Sequence, residues 1–405
     1  MSHDQTASVA AGAAPSAPRA NLAPRLESVD ALRGLVMVLM VLDHVREFFG
    51  DFSRDPTDLA TTTLPLFLTR WITHFCAPVF VFLAGTGAYL AGARGKSRAS
   101  LSRYLWTRGL WLVLLELTLV RWGMTFRPDS RHLLAVVLWT IGWSMVVLAA
   151  LVHLPTRVVG VFGVAMIAGH NLMDRIDADT LGPFAPLWHV LHQPGGIELP
   201  GGWDLFVLYP LVPWAGVMAA GYAFGAIVRR PDDERRRALL RMGLGLTAAF
   251  VLVRALNRYG DPRPWSLQER PAFTLLSFLN CTKYPPSLAF LLMTLGPAIT
   301  LLGLIDRGVG AMGRPLVVLG RVPLFYYVLQ WPVIHGLALL VAMLRGQPIG
   351  WLFNEGGPPQ APPESVFGLP GIYAMGIVTL LILYPACAWF AGLKRRRKDA
   401  WLSYL

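Results

Sequence analysis

Charge is scarce in this sequence. Asp, Glu, Lys and Arg make up 15% of its 405 residues, against roughly 25% in a soluble domain. With 54% apolar residues and a mean hydropathy of +0.49, the shortfall excludes a soluble enzyme, a secreted disulfide scaffold and a coiled coil. Cysteine is nearly absent too. Cys76, Cys281 and Cys387 are isolated and odd in number, so they form neither a disulfide framework nor a metal-ligand cluster; each reads as a small buried apolar side chain. The sequence has no Gly-rich phosphate loop, no Walker motif and no metal-ligand spacing, so neither ATP nor a metal is expected. Only four of the 36 basic residues are lysine. The net charge of +12 and pI of about 10.0 come from basic clusters in short loops, without the spacing of a nucleic-acid-reading module, so no nucleic-acid partner is expected.

Apolar length is abundant. Runs of roughly 18 to 25 residues match the ~30 Å hydrocarbon layer of a bilayer. The sequence therefore predicts an all-α polytopic membrane helix bundle, with the lipid bilayer as its first partner. Ten helices are expected, at 29–49, 66–91, 104–122, 133–153, 157–173, 204–228, 238–256, 285–305, 321–344 and 370–393. Residues 1–24, rich in Ala, Pro and Ser, read as a disordered tail without a secretory signal. Residues 25–393 form the membrane domain, and 394–405 a basic tail. With the N-terminus inside, 23 of the 36 Lys and Arg residues fall on inner segments, including Arg19, Arg25, Arg33, the 94–108 and 229–241 clusters and the run from Lys394 to Lys398. The positive-inside rule then places both termini in the cytoplasm.

Ionisable groups in membrane helices cost about 2.5 to 3.5 kcal/mol each on insertion scales, so each asks for a reason. The first helix carries Asp30, Arg33, Asp43, His44, Arg46 and Glu47. Arg33 and His44, eleven residues apart, project from one face about 16 Å apart along the axis, one towards each surface. They line a path across the bilayer, or else Arg33 merely caps its helix with Asp30 while His44 bonds a neighbouring helix. In the second helix, His74 lies at a depth similar to His44, and Pro78 deprives its carbonyl of an intrahelical partner. Asn280, Lys283 and Tyr284 precede Pro285 and Pro286 at an outer helix start. Tyr327, Trp331 and His335 follow i, i+4, i+8 spacing on one helix side. Glu116 reads as the partner of an arginine.

These residues carry a resemblance. The segments RLESVDALRGLVMVLMVLDHVREFF, THFCAPVFVFLAGT, FLNCTKYPPSLAFLLMTLGPA and LGRVPLFYYVLQWPVIH resemble a bacterial member of the heparan-alpha-glucosaminide N-acetyltransferase family, from residue 25 onward. The spacing of Arg33 and His44 is also similar to the opening motif of bacterial membrane O-acyltransferases that decorate polysaccharides. The resemblance implies a membrane enzyme, in the cytoplasmic (inner) membrane, that uses cytosolic acetyl-CoA to acetylate a sugar or glycan acceptor at the far side. The family's lysosomal enzyme has its proposed catalytic histidine between the first two helices; residues 50–73 here contain none. That leaves His44 or His74 in the role, or a different chemistry. On this reading His44, alone or with His74, is the base or a transient acetyl carrier. Arg33, Arg314 and Arg321 hold the coenzyme A phosphates, and Asp43, Asn280, Lys283, Tyr284, Trp331 and His335 are candidate acceptor-binding residues. A homodimer is a further candidate assembly. The rival class is a transporter with a buried His/Arg relay and no acyl transfer.

Overall fold

The computed structural model describes residues 26–353 and 359–397, together with 399, 402 and 404. The expected tail over 1–24 and the basic residues Arg19, Arg25 and Lys398 lie outside the described residues.

The chain is a bundle of helices: α1 (Glu27–Phe49), α2 (Leu64–Thr73), α3 (Cys76–Gly92), α4 (Arg98–Leu115), α5 (Arg121–Thr125), α6 (Val137–Leu151), α7 (Thr156–Gly169), α8 (Ala185–Leu191), α9 (Leu211–Val228), α10 (Asp232–Leu256), α11 (Pro271–Leu279), α12 (Leu288–Leu304), α13 (Gly310–Gly320), α14 (Pro323–Leu344) and α15 (Leu369–Arg396). Six stretches among the described residues are long and apolar enough to cross a membrane, and α6 and α12 are shorter apolar helices. The all-α membrane class holds.

Local chemistry sets the helix ends. α1 opens with Glu27 and Asp30 in its first turn, where carboxylates favour the positive end of the helix dipole, and stops at Gly50. Thr63 caps α2, its hydroxyl accepting from Leu66 N–H. The expected helix over 66–91 divides at His74 and Phe75 into α2 and α3, as the missing N–H of Pro78 dictates. Between α4 and α5 a π-helical turn, Glu116–Val120, re-aims the chain.

The sequence expectations differ from the structure in further places. The expected helix starts at 133 and 204 are instead strands β1 (His132–Ala135) and β3 (Trp203–Val207). With β2 (Gly195–Leu199) they form a three-stranded sheet ordered β1-β3-β2, with β1 parallel and β2 antiparallel to β3. Each strand continues into an apolar helix, so hydropathy alone merged the two. Helices α8, α11 and α13 fall outside the ten expected helices; each is too short to stand out as an apolar run of membrane length. The helix at the C-terminal end extends through Arg396, into the segment expected to be tail.

α13 docks closely on α1. A Cβ on Gly34 would collide with the Leu316 backbone, and one on Gly320 with the Asp30 carbonyl. This close approach of small residues is how membrane helices gain packing without a hydrophobic driving force. It brings Arg321, just past α13, beside the first turn of α1. At the opposite end of α1, Phe367 N–H donates to Phe49 O at 2.7 Å, so α15 runs antiparallel to α1 and ends where α1 begins.

Candidate active site

Two cavities penetrate the bundle from its opposite ends. The first, about 530 Å³, lies where α1 begins and α15 ends, and its charged lining is cationic: Arg33, Arg94, Arg108, Arg321, Lys394 and Arg395. The second, about 560 Å³, lies towards the other end of α1 and is lined by Asp43, His44, Arg46, Glu47, Arg70 and Lys283, among others. Phe80, Val137 and Tyr327 line both. The two chambers therefore meet at this layer of three side chains. Arg33 and His44, read as one stripe of α1, fall in different chambers of this paired system.

His44 stands at the junction. Its ring stacks on Trp331, with centroids 3.9 Å apart and planes 23° apart, and meets Tyr327 edge-on at 6.3 Å. Its Nδ1 is buried without a hydrogen-bond partner among the described residues. Asp43, next in sequence, receives three cations: Arg70 in direct contact, Arg46 at 3.5 Å and Lys283 at 4.0 Å. Glu47, one turn beyond His44, makes no ion pair or hydrogen bond among the described residues. Buried charge survives only when paired or used; Asp43 is paired, and Glu47 faces the cavity.

Lys283 and Tyr284 reach the chamber because the segment before α12 is held on both sides. The buried Arg254 guanidinium donates to the carbonyls of Phe278 (2.9 Å), Ser277 (3.1 Å) and Asn280 (2.9 Å) at the end of α11. Asp261 accepts from Thr282 N–H (2.9 Å) and the Ser287 hydroxyl (2.6 Å). The phenols of Tyr284 and Tyr209 meet at 3.5 Å. Burial alone would raise both. The Lys283 and Arg70 charges pull Tyr284 below the usual phenol value, while burial and then Tyr284 itself hold Tyr209 well above it. At the open end the sheet forms a wall, with His132 and Asp204 paired across β1 and β3.

Of the sequence-singled residues, Asp43, His44, Lys283, Tyr284 and Trp331 share this chamber, and Arg33 and Arg321 share the cationic one. Arg33 also pairs with Asp30 at 3.2 Å and donates to Gly320 O at 3.3 Å. Four residues are placed elsewhere. Arg314 is exposed on α13, away from the cationic cavity. His74 is buried against Phe290, its ring 5.3 Å away, and does not line the His44 chamber. Asn280 donates to Thr57 O at 2.9 Å. His335 stacks on Phe126 at 3.9 Å with Nδ1 3.3 Å from Gly123 O, behind the Trp331 face. The i+8 member leaves the stripe because 800° is not a whole number of turns.

Glu116 corrects a further expectation. It pairs with no arginine among the described residues; its Oε2 accepts the N–H groups of Leu138 (2.5 Å) and Trp139 (3.3 Å). It caps the start of α6 from a neighbouring helix, accepting two N–H groups that the first turn leaves without an intrahelical partner. That fixes Val137 at the layer between the chambers. The sequence reading also passed over Arg46, Glu47, Arg70 and Tyr327 as site residues. Glu47 was legible as the residue one turn from His44, whereas the Arg70–Asp43 contact spans two helices and carries no local signal.

The chain has no match among curated proteins. The family model for heparan-alpha-glucosaminide N-acetyltransferase, catalytic, matches residues 25–256. That stretch runs from the start of α1 to the end of α10, and so takes in Arg33, His44, Glu47 and Arg70. With more than half of its length matched, the chain belongs to the heparan-alpha-glucosaminide N-acetyltransferase catalytic family, as an integral membrane protein.

Proposed function

We infer that the protein transfers an acetyl group from acetyl-CoA, bound from the cytosol in the cationic chamber, to a sugar amine or hydroxyl entering the His44 chamber from the outer side. The membrane is the cytoplasmic (inner) membrane of a bacterium. The observation that carries this reading is the meeting of the two chambers at Phe80, Val137 and Tyr327, with His44 packed on Tyr327. A donor and an acceptor from opposite compartments need such a junction.

Arg33 and Arg321, with the other cations of the first chamber, suit the phosphates of coenzyme A, because guanidinium binds phosphate through paired donors. The thioester end then points along the chamber to the Tyr327 layer. On the other side, His44 takes the proton of the acceptor as its lone pair attacks the thioester carbonyl. The tetrahedral oxyanion collapses with cleavage of the C–S bond, and the coenzyme A sulfur leaves and is protonated. As a carrier, the imidazole would make the first attack itself and pass the acetyl group to the acceptor. General-base assistance contributes about 10² to 10⁴ in rate. Glu47, Lys283 and Tyr284 are placed to hold the acceptor or the displaced proton.

The test is thiol release from acetyl-CoA by the purified protein with glucosamine as the acceptor probe. Release should require the acceptor, fall on the order of 100-fold or more in His44→Ala, and change only a few-fold in His74→Ala. Wild-type protein that neither binds nor cleaves acetyl-CoA would end this reading in favour of transport through the same cavities.

A further inference from the structure

The geometry points to a divalent transition-metal site, of the zinc class, formed by His170, Asp174 and His192 at the outer end of α7. The donor atoms of these three side chains lie within 4.8 Å of one another. His192 Nε2 is 2.9 Å from Asp174 Oδ1, and tetrahedral zinc ligands sit about 3.3 Å apart for bonds of ~2.0–2.1 Å. A small inward movement of His170 completes the set.

The two imidazoles are almost fully enclosed, at 1% and 2% exposure. Apart from the Pro286 carbonyl beside the His170 ring, neither nitrogen of His170 nor the Nδ1 of His192 has a hydrogen-bond partner among the described residues. Buried polar atoms are nearly always satisfied, so these nitrogens within one cluster ask for an explanation. A cation bound by one nitrogen of the His170 ring supplies part of it and leaves the other His170 nitrogen to a neighbouring acceptor. The Pro286 carbonyl lies beside the His170 ring, where a metal-bound imidazole would donate its other N–H. Asp174 is itself oriented by Asn171, whose Nδ2 donates to Oδ2 at 2.7 Å. Two neutral imidazoles and one carboxylate give a net charge of −1, which favours a dication, and nitrogen-rich donors select zinc over magnesium or calcium.

The sequence carried little of this. His170 and Asp174 share a helix-like i, i+4 spacing, but His192 lies 18 residues further on. What the ion would do is also readable. Asn171 Oδ1 accepts the Leu288 N–H at the start of α12 (2.9 Å), and β2 begins three residues after His192. The ion would bind α7 and α12 to the segment carrying β2, and through β3 steady the wall of the His44 chamber. It stands outside that chamber and takes no part in the chemistry.

The test reads metal directly, independently of acetyl transfer. Full-length protein, purified in detergent without a polyhistidine tag and stripped with a chelator, is titrated with Co²⁺. The expected result is saturation near one ion per chain, with the visible d–d bands of a tetrahedral site, displaced by Zn²⁺. Asp174→Asn and His170→Ala should each weaken binding on the order of 100-fold. Featureless titration of the folded wild-type protein overturns the site, whatever the variants do. So does undiminished Co²⁺ binding in both variants.

Discussion

The imidazole of His44 lies flat on the indole of Trp331, ring centroids 3.9 Å apart. The stack joins α1 to α14 and fixes which edge of the imidazole faces the junction between the chambers. An aromatic contact of this kind is worth about 0.5–1.5 kcal/mol, enough to hold one rotamer against its neighbours. Trp331→Ala should therefore lower acetyl transfer about tenfold with little change in acetyl-CoA affinity, and Trp331→Phe should recover most of it. Steady-state kinetics with donor and acceptor varied separately would check both.

Val137 belongs to both chambers, so adding bulk there should close the junction while leaving the cations of the first chamber in place. Val137→Trp, and Phe80→Trp as its independent counterpart, should reduce transfer by tenfold or more while acetyl-CoA binding, read by calorimetry, stays within a few-fold. Full activity in both variants would mean that the acetyl group travels another way.

The contact of α13 with α1 sets where Arg321 stands relative to Arg33. Gly320→Val would drive a side chain into the Asp30 carbonyl, and overpacking of this kind costs about 1–3 kcal/mol. A lower melting temperature and a raised KM for acetyl-CoA are expected together. Arg321→Gln should raise the KM by tenfold or more without the stability loss, since one charge-assisted hydrogen bond is worth about 1.5–3 kcal/mol.

Glu116 provides a sharper comparison. Its carboxylate satisfies two N–H groups at the start of α6. Glu116→Gln keeps an acceptor oxygen and should leave the protein folded. Glu116→Leu strands both donors, and each costs about 1–3 kcal/mol. Thermal unfolding of the two variants in detergent separates a capping role from a catalytic one: only a catalytic role would make Glu116→Gln inactive yet as stable as wild type.

The helices were legible because apolar runs of membrane length have few alternatives, whereas the spacing of Arg33 and His44 gave a shared helix face and not the two separate chambers they line. Hydropathy failed where a strand runs into a helix without changing polarity, at His132–Ala135 and Trp203–Val207. At Glu116 the sequence suggested a charge partner, yet the group that answers it is backbone from a helix more than twenty residues away. Likewise Arg46, Arg70 and Lys283 converge on Asp43 from three segments, and only the fold brings them together. Tyr327 was visible as an aromatic at helical spacing, but its position between two cavities is a property of space rather than of spacing.

Sidedness tests the central claim most directly. In proteoliposomes of sorted orientation, acetyl-labelled coenzyme A is placed on the face bearing Arg33 and Lys394, and glucosamine on the other. Labelled acetyl-glucosamine should form on the acceptor's side, disappear in His44→Ala, and fail to form when donor and acceptor are both confined to the opposite face. Equal transfer with both substrates on one side, or transfer undiminished by loss of His44, would contradict a reaction carried out where the two chambers meet.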